Sequence, residues 1–118
     1  VPEQTALSAL CEGAGYILNG SKNLVLDAHV ADSFIVIART GGGAGEEHGL
    51  SAFVVDADAP GVSVTRSIMV DSRNAGVVTF DNVSVSAENL LGEEGQAWAG
   101  LTRTLDIANI GLAAELLG

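Results

Sequence analysis

The dipeptide Asn19-Gly20 lies between two short apolar-rich runs and constrains the fold of this chain more than any other feature. A two-residue hairpin loop needs positive φ at both central positions, and Asn-Gly is a pair that adopts this conformation readily. We therefore predict a type I′ turn here, with residues 16–18 paired to residues 21–26. The polar segment 27–32 then precedes another apolar run, residues 34–38. Strand, turn, strand, loop and strand indicate antiparallel β architecture.

Further short apolar runs extend this pattern along the chain. They predict strands at residues 6–12, 33–39, 50–56, 62–68 and 76–80. In the first, Leu7, Ala9 and Cys11 are predicted to share one face. The run 33–39 is almost continuously apolar and rich in β-branched residues, which predicts a strand covered on both faces. Short strands separated by turn signals at this spacing predict a small antiparallel β-barrel or sandwich.

The glycine-rich segment 40–49 is predicted to be a flexible connection. Its glycines resemble a phosphate-binding loop, but no Lys-Ser/Thr pair follows them. Two carboxylates follow instead, and these would repel phosphate.

The composition changes beyond residue 86, and the remainder predicts a helix that begins between residues 93 and 99. Apolar side chains recur there at steps of three and four, which is typical of an amphipathic helix; they are Trp98, Leu101, Leu105, Ala108, Leu112 and Leu116. We predict two domains, a β-domain at 1–94 and the first helix of a truncated helical domain at 95–118. The apolar stripe must dock on the β-domain or on helices outside this chain.

Composition and charge exclude several classes of function. Five basic and fifteen acidic residues give a net charge of −10, which argues against binding a nucleic-acid backbone. No apolar run approaches the roughly 20 residues that a membrane span requires. The single cysteine, Cys11, fits a reducing compartment, so we expect a cytoplasmic protein. The chain starts without a Met and in mid-pattern, which suggests a piece of a longer protein.

Three other constellations favour ordinary structural interpretations. Asp27, His29 and Asp32 are close in sequence, but a single loop with one histidine has no recognised metal-ligand spacing. His48 follows two glutamates and is predicted to be solvated. No serine lies in a Gly-x-Ser-x-Gly turn, which argues against a hydrolase.

The pattern Tyr-x-x-Asn-Gly-x-Lys at residues 16–22, followed by strands and an Ala-Asp pair, resembles the middle β-domain of the acyl-CoA dehydrogenase family of flavoenzymes. Family-like segments follow in the expected order: LSAFVVD, APGV, VVTFDNVSV, NLLGEEG and LDIANIGLAAELLG. The resemblance spans nearly all 118 residues and implies that the chain is a fragment of such an enzyme.

The resemblance implies FAD as cofactor and assigns it to Leu24, Val25 and Leu26. Family members commonly have an aromatic ring against the flavin at the first of these positions and a Ser or Thr hydroxyl at the third. Both are leucine here. Backbone amides remain available to the flavin, because every non-proline residue has one. A subunit that holds flavin weakly or not at all is the alternative.

For the substrate, the resemblance implies that Asp106, Ile107, Ala108 and Asn109 line an acyl-CoA cleft. Asp106 matches the first residue of the family's Asp-x-x-Arg, whereas Asn109 replaces the arginine. Some members carry the catalytic glutamate where Ala108 stands, so we expect no catalytic residue in this fragment. The positively charged Arg66 and Arg73 are predicted to form surface ion pairs rather than a nucleotide clamp.

The resemblance as a whole implies α,β-dehydrogenation of an acyl-CoA thioester by FAD, with an electron-transfer acceptor and a homo- or hetero-oligomeric assembly. The fragment alone is expected to be inactive. Two alternatives stay open: a flavin-poor structural subunit of a heteromeric dehydrogenase, and a related acyl-CoA oxidase.

Overall fold

The computed structural model describes residues 5–71 and 73–118. They form seven strands and one long helix, in the order β1 (Ser8–Glu12), β2 (Gly15–Leu26), β3 (Ser33–Arg39), β4 (Leu50–Asp56), β5 (Val62–Ile68), β6 (Asn74–Ser86), β7 (Leu90–Leu91) and α1 (Ala97–Leu117). Single 3-10 turns at Ala28–Val30 and Ala87–Asn89 link neighbouring strands. The predicted mainly β fold with a terminal helix is confirmed. Three strands have the predicted bounds, whereas β6 is longer than predicted at both ends.

All seven strands belong to one sheet, in the order β5-β6-β2-β1-β3-β4-β7. Neighbours are antiparallel except β1 and β3, which share one parallel pair. The predicted barrel or sandwich is therefore better described as one open sheet, because β5 and β7 form its two edges. Buried apolar side chains from five of the strands, β1, β2, β3, β4 and β6, meet on one face of this sheet and form a continuous core. Within the core, the Tyr16 ring packs edge-to-face on Phe53, with 4.9 Å between centroids.

The type I′ turn predicted at Asn19-Gly20 is wrong. β2 runs through both residues, and the hairpin turn lies earlier, at residues 13–14, where Gly13 has a φ of 60°. At Gly20 a Cβ would lie 2.9 Å from Leu7 Cα, so glycine is needed for close packing. The Asn19 side chain donates to Asn82 Oδ1 at 3.1 Å and accepts from Asn82 N–H at 2.9 Å. The Asn19 side chain therefore stabilises a β-bulge in the facing strand, β6.

The predicted faces of two strands also need correction. In β3, Phe34, Val36 and Ala38 are buried, but Ile35 is 71% exposed, so the strand is covered on one face within the described chain. In β1, Ala9 is buried, whereas Cys11 is exposed. Alternation along a half-buried sheet, rather than the total apolar content of a strand, decides which side chains are covered.

The glycine-rich loop between β3 and β4 is organised by Arg39, contrary to the prediction of a flexible connection. The guanidinium donates to the carbonyl of Glu46 at 3.1 Å and of His48 at 3.1 Å. It also donates to Gly41 at 3.4 Å and to Thr5 at 3.0 Å. The planar guanidinium of Arg39 hydrogen-bonds carbonyls near both ends of the loop and one carbonyl in the segment before β1. The loop therefore has a defined shape.

We expect Arg39→Lys to destabilise the folded protein by about 1 to 3 kcal/mol, because an ammonium cannot replace several planar donors at once. Urea unfolding of the full-length protein measures this loss. Arg103→Lys is the matched control, since Arg103 is exposed on α1. Equal unfolding free energies for the two variants would contradict the role given to Arg39.

α1 begins at Ala97, within the predicted interval, and packs against β4. Trp98, Leu101 and Thr102 are partly covered, and every residue from 103 onward is exposed. The predicted one-sided stripe is incomplete, because Ile107 and Ile110 lie away from it and are exposed as well. A helix that is apolar around most of its circumference requires cover from other elements.

We expect α1 beyond Gly100 to fray, or the chain to associate, when these 118 residues are expressed alone. Each large apolar side chain left in water forfeits about 1.5 to 3 kcal/mol relative to full burial. Hydrogen exchange on the monomeric chain tests this, with β4 as the protected reference. Protection at residues 105–116 equal to that of β4 would contradict the expectation.

Candidate cofactor and substrate surfaces

The three residues that the sequence assigns to a cofactor lie at a second β-bulge, at the end of β2. Lys22 pairs with Val78 and Val25 with Gly76, so two residues of β2 oppose one of β6. Leu24 within the bulge has a φ of 52°, an unusual conformation for a branched residue. The bulge changes the alternation of β2, so that Lys22 and Val25 both face the core side.

Leu24 and Leu26 consequently lie on the opposite, solvent-facing side of this strand end. They are 66% and 62% exposed. Two large apolar side chains at this level of exposure, two positions apart, form a small apolar platform on a strand that is paired with β6. The structure thus brings Leu24 and Leu26 together at the surface and separates Val25 from them.

A cleft beside this platform is lined by Leu26, Asp27, Arg73 and Asn74. The Arg73 Nε lies 3.6 Å from the Asp71 carboxylate, and both side chains are exposed. This agrees with the predicted surface ion pair. Arg66 instead donates to the Asn74 side-chain oxygen at 2.8 Å.

On the core side of the same bulge lies an apolar cavity of about 160 Å³. Phe34, Val36, Val78 and Phe80 contribute to its wall, together with Lys22, the only lysine of the chain. Burial lowers the pKa of Lys22. A partly desolvated ammonium in apolar surroundings is a feature that the sequence did not indicate.

The residues assigned to substrate lie far along α1. Asp106, Ile107, Ala108 and Asn109 are all exposed. The cleft at Leu26 has no lining residue on α1. The groove of about 550 Å³ that α1 does form with β3, β4 and β7 ends at Thr104. The two candidate surfaces are therefore separate within this chain.

The start of α1 is attached to β4 by polar contacts, and we call residues 95–97 the helix root. Gly95 N–H donates to Ser51 Oγ at 2.7 Å, and Ser51 Oγ lies 2.7 Å from Thr40 Oγ1. Thr40 donates its only hydroxyl hydrogen to the Gly49 carbonyl at 3.1 Å, so Ser51 is the donor to Thr40. Gly49 N–H in turn donates to the Gly95 carbonyl at 3.2 Å.

Sequence reasoning missed this hydrogen-bonded chain. The available signal was Ser51 itself, a polar residue in an apolar strand, which is fully buried in the structure. Glu94, directly before the root, acts on Tyr16 of the core: burial, and then the carboxylate of Glu94, raise the pKa of Tyr16.

The remaining candidates form no site in the described residues. His48 is exposed, and only its carbonyl is engaged, by Arg39. No group of three or more His, Cys, Asp or Glu side chains within residues 5–71 and 73–118 has a metal-binding arrangement. In the same residues, no helix has the length and apolar character needed to cross a bilayer.

Lys22→Met is expected to raise the thermal midpoint of the full-length protein at pH 7. The lowered pKa means that the folded state disfavours the protonated amine of Lys22. The resulting loss of folding free energy is complete below the pKa of the folded state and disappears as the pH rises past the pKa of the unfolded state. The gain should therefore shrink towards about pH 10.5. Arg103→Met, which removes an exposed cation, serves as the control; equal gains for both variants would contradict the burial of Lys22.

Comparison with known proteins gives consistent matches. A family model described as acyl-CoA dehydrogenase, middle domain, matches residues 3–83. The chain is 36% identical over 114 residues to an acyl-CoA dehydrogenase of Bacillus subtilis (strain 168), which covers 94% of this chain and 30% of that protein.

Solved structures show the same similarity. A probable acyl CoA dehydrogenase from Mycobacterium abscessus matches with a TM-score of 0.85 and 27% identity, covering 93% of this chain and 30% of that one. A chain of the ChsE4-ChsE5 complex from Mycobacterium tuberculosis matches with a TM-score of 0.81 and 25% identity, covering 88% and 27%. The present chain spans about 30% of the length of the relatives it matches.

Proposed function

Because the chain belongs to the acyl-CoA dehydrogenase family, through its middle domain, we propose that it is the flavin-binding β-domain of an enzyme that dehydrogenates acyl-CoA thioesters. We further propose that residues 95–118 begin the helical domain of that enzyme. The observation that supports the proposal most directly is the platform of Leu24 and Leu26, exposed beside a β-bulge within the segment that matches the family.

The residues present suit a flat, largely apolar ring such as that of FAD. Leu24 and Leu26 offer apolar contact area, and the strand that carries them is fixed by the β6 ladder and by Val25, which reaches the core. Arg73 lines the adjoining cleft, where its guanidinium lies 3.6 Å from the Asp71 carboxylate. FAD would supply the acceptor for the β-hydrogen of the acyl group, transferred as hydride.

The chain's own residues would shape and dry the reaction site rather than transfer the α-proton. The two leucines exclude water, which strengthens electrostatic interactions nearby. On α1, Asp106 and Asn109 supply polar groups for the thioester end of the substrate, and the small Ala108 between them has no group able to accept a proton. The carboxylate that removes the α-proton is therefore assigned to a part of the enzyme outside these residues.

The partners proposed for the full protein follow from the same chemistry. Reduced flavin must be reoxidised, which requires an electron-transfer acceptor in a dehydrogenase and molecular oxygen in an oxidase. The exposed apolar residues of α1 favour burial against other helices of the same subunit or of another one. We propose that the reaction takes place in the cytoplasm, because a chain with a single cysteine fits a reducing compartment.

The second candidate is a structural subunit of a heteromeric dehydrogenase that holds flavin weakly. The leucines at 24 and 26 favour it, because they offer neither an aromatic stack nor a side-chain hydrogen bond. One of the structural matches is itself named as a complex of two components. In this case the domain would stabilise the assembly while the partner subunit carries out the chemistry.

FAD content separates the two candidates. We expect the full-length protein, purified with any natural partner, to bind FAD and show a flavin visible spectrum. Leu24→Trp combined with Leu26→Thr should bind FAD tenfold to a hundredfold more tightly, because a stacked ring and a hydrogen bond each contribute roughly 0.5 to 1.5 kcal/mol. Titration with FAD, followed by absorbance, measures the change.

Leu10→Trp is the matched control, since Leu10 lies on β1 with the same 66% exposure as Leu24. Its FAD affinity should equal that of the parent. A parent protein that is colourless and gains flavin only with the double substitution would replace the dehydrogenase proposal with the structural-subunit alternative.

A further inference from the structure

The direction in which α1 leaves the sheet depends, within this chain, on very few contacts. Residues 97, 98, 101 and 102 are the last ones of α1 that the sheet partly covers, and all later residues are exposed. The helix root, residues 95–97, is bonded to Ser51 of β4 and to Gly49, and Thr40 bonds both of these residues. Within the described chain, these bonds hold the start of α1 in place.

The geometry of the helix amplifies any change at the root. At 1.5 Å per residue, Asn109 lies roughly 18 Å from Ala97 along the axis. A tilt of about 5° at the root would displace Asn109 by roughly 1.5 Å. Displacements of this size are enough to break a hydrogen bond between a side chain at position 106 or 109 and a bound ligand.

Ser51 is the central link of the root. Its oxygen accepts the Gly95 N–H, and its hydrogen goes to Thr40, so both of its hydrogen-bonding roles are used in a site closed to water. Without the hydroxyl, Gly95 N–H would have to find another acceptor. Because Ser51 is fully buried and Gly95 is partly buried, alanine at position 51 leaves this N–H without its protein acceptor, and we expect the root to shift.

We propose that Ser51 is a positioning residue for substrate binding: acting with Thr40 through Gly95, it aims α1 so that Asp106 and Asn109 meet the acyl-CoA. The inference rests on the proposed function for the identity of the substrate. Ser51 touches neither substrate nor cofactor in this arrangement. Its effect should therefore appear in the binding of acyl-CoA rather than in the chemical step.

The experiment compares full-length holoenzymes carrying Ser51→Ala, Ser51→Thr, Thr40→Val and the control Ser84→Ala. Ser84 is exposed on β6, remote from α1 in the sheet order. We expect Ser51→Ala to raise the KM for one short-chain acyl-CoA about tenfold, the equivalent of one lost hydrogen bond, with kcat changed less than twofold and FAD content unchanged. Thr40→Val should act in the same direction, and Ser51→Thr, which keeps the hydroxyl, should restore most of the affinity.

Hydrogen exchange across residues 95–104 gives a readout that does not need enzymatic turnover. Protection there should fall in Ser51→Ala and Thr40→Val but not in Ser84→Ala. An unchanged KM in Ser51→Ala would overturn the inference. So would losses of kcat and of FAD content as large as the change in KM, or unchanged exchange protection across residues 95–104. A wild-type enzyme without dehydrogenase activity would instead refute the proposed function, and the exchange data would still test the aiming of α1.

Discussion

The long antiparallel ladder between β2 and β6 is the contact on which the rest of this structure depends. It joins the β5 edge to the β1 side of the sheet, and its two bulges decide which side chains face the core. The bulge in β6 is held by the paired side chains of Asn19 and Asn82. The bulge in β2 reverses the alternation after Lys22, which sends Val25 inward and leaves Leu24 and Leu26 outside. Without it, a regular strand would place both leucines on the core side.

The sequence predicted the strands better than the way they pair, because the pairing depends on bulges in this ladder. Apolar alternation identified Leu50–Asp56 and Val62–Ile68 at their true bounds, because a strand with one covered face carries that signal in its own residues. The turn prediction at Asn19-Gly20 was wrong because a β-bulge and a tight turn favour the same residue types. Both need a residue whose side chain causes no clash, and an amide side chain able to hydrogen-bond backbone groups. The distinction depends on Leu7 and Asn82, which are distant in sequence.

Short motifs were enough to propose a candidate site but not to describe it. Leu24 and Leu26 were assigned from their place after Lys22, whereas their shared exposure became visible only in the folded chain. The connection between Ser51 and Gly95 could not be predicted, because a buried hydroxyl reveals its partners only when the chain is folded. The same holds for Arg39, whose bonds to a glycine-rich loop turn a composition typical of flexibility into a defined structure. In each case the deciding contact joins residues whose separate sequence signals are weak.

The charge of the chain limits what its two surfaces can do together. With a net charge of −10, the chain as a whole repels an anionic CoA ester, and three of its four arginines are engaged locally. Arg39 is used by the loop, Arg66 by Asn74 and Arg73 by Asp71. Lys22 faces an apolar cavity where its charge is disfavoured. Under the proposed function, this chain contributes apolar contact and the polar groups of Asp106 and Asn109 to an acyl-CoA complex, and positive charge for the nucleotide end comes from other residues of the enzyme. The direction of α1 relative to the sheet then decides whether those polar groups reach the substrate.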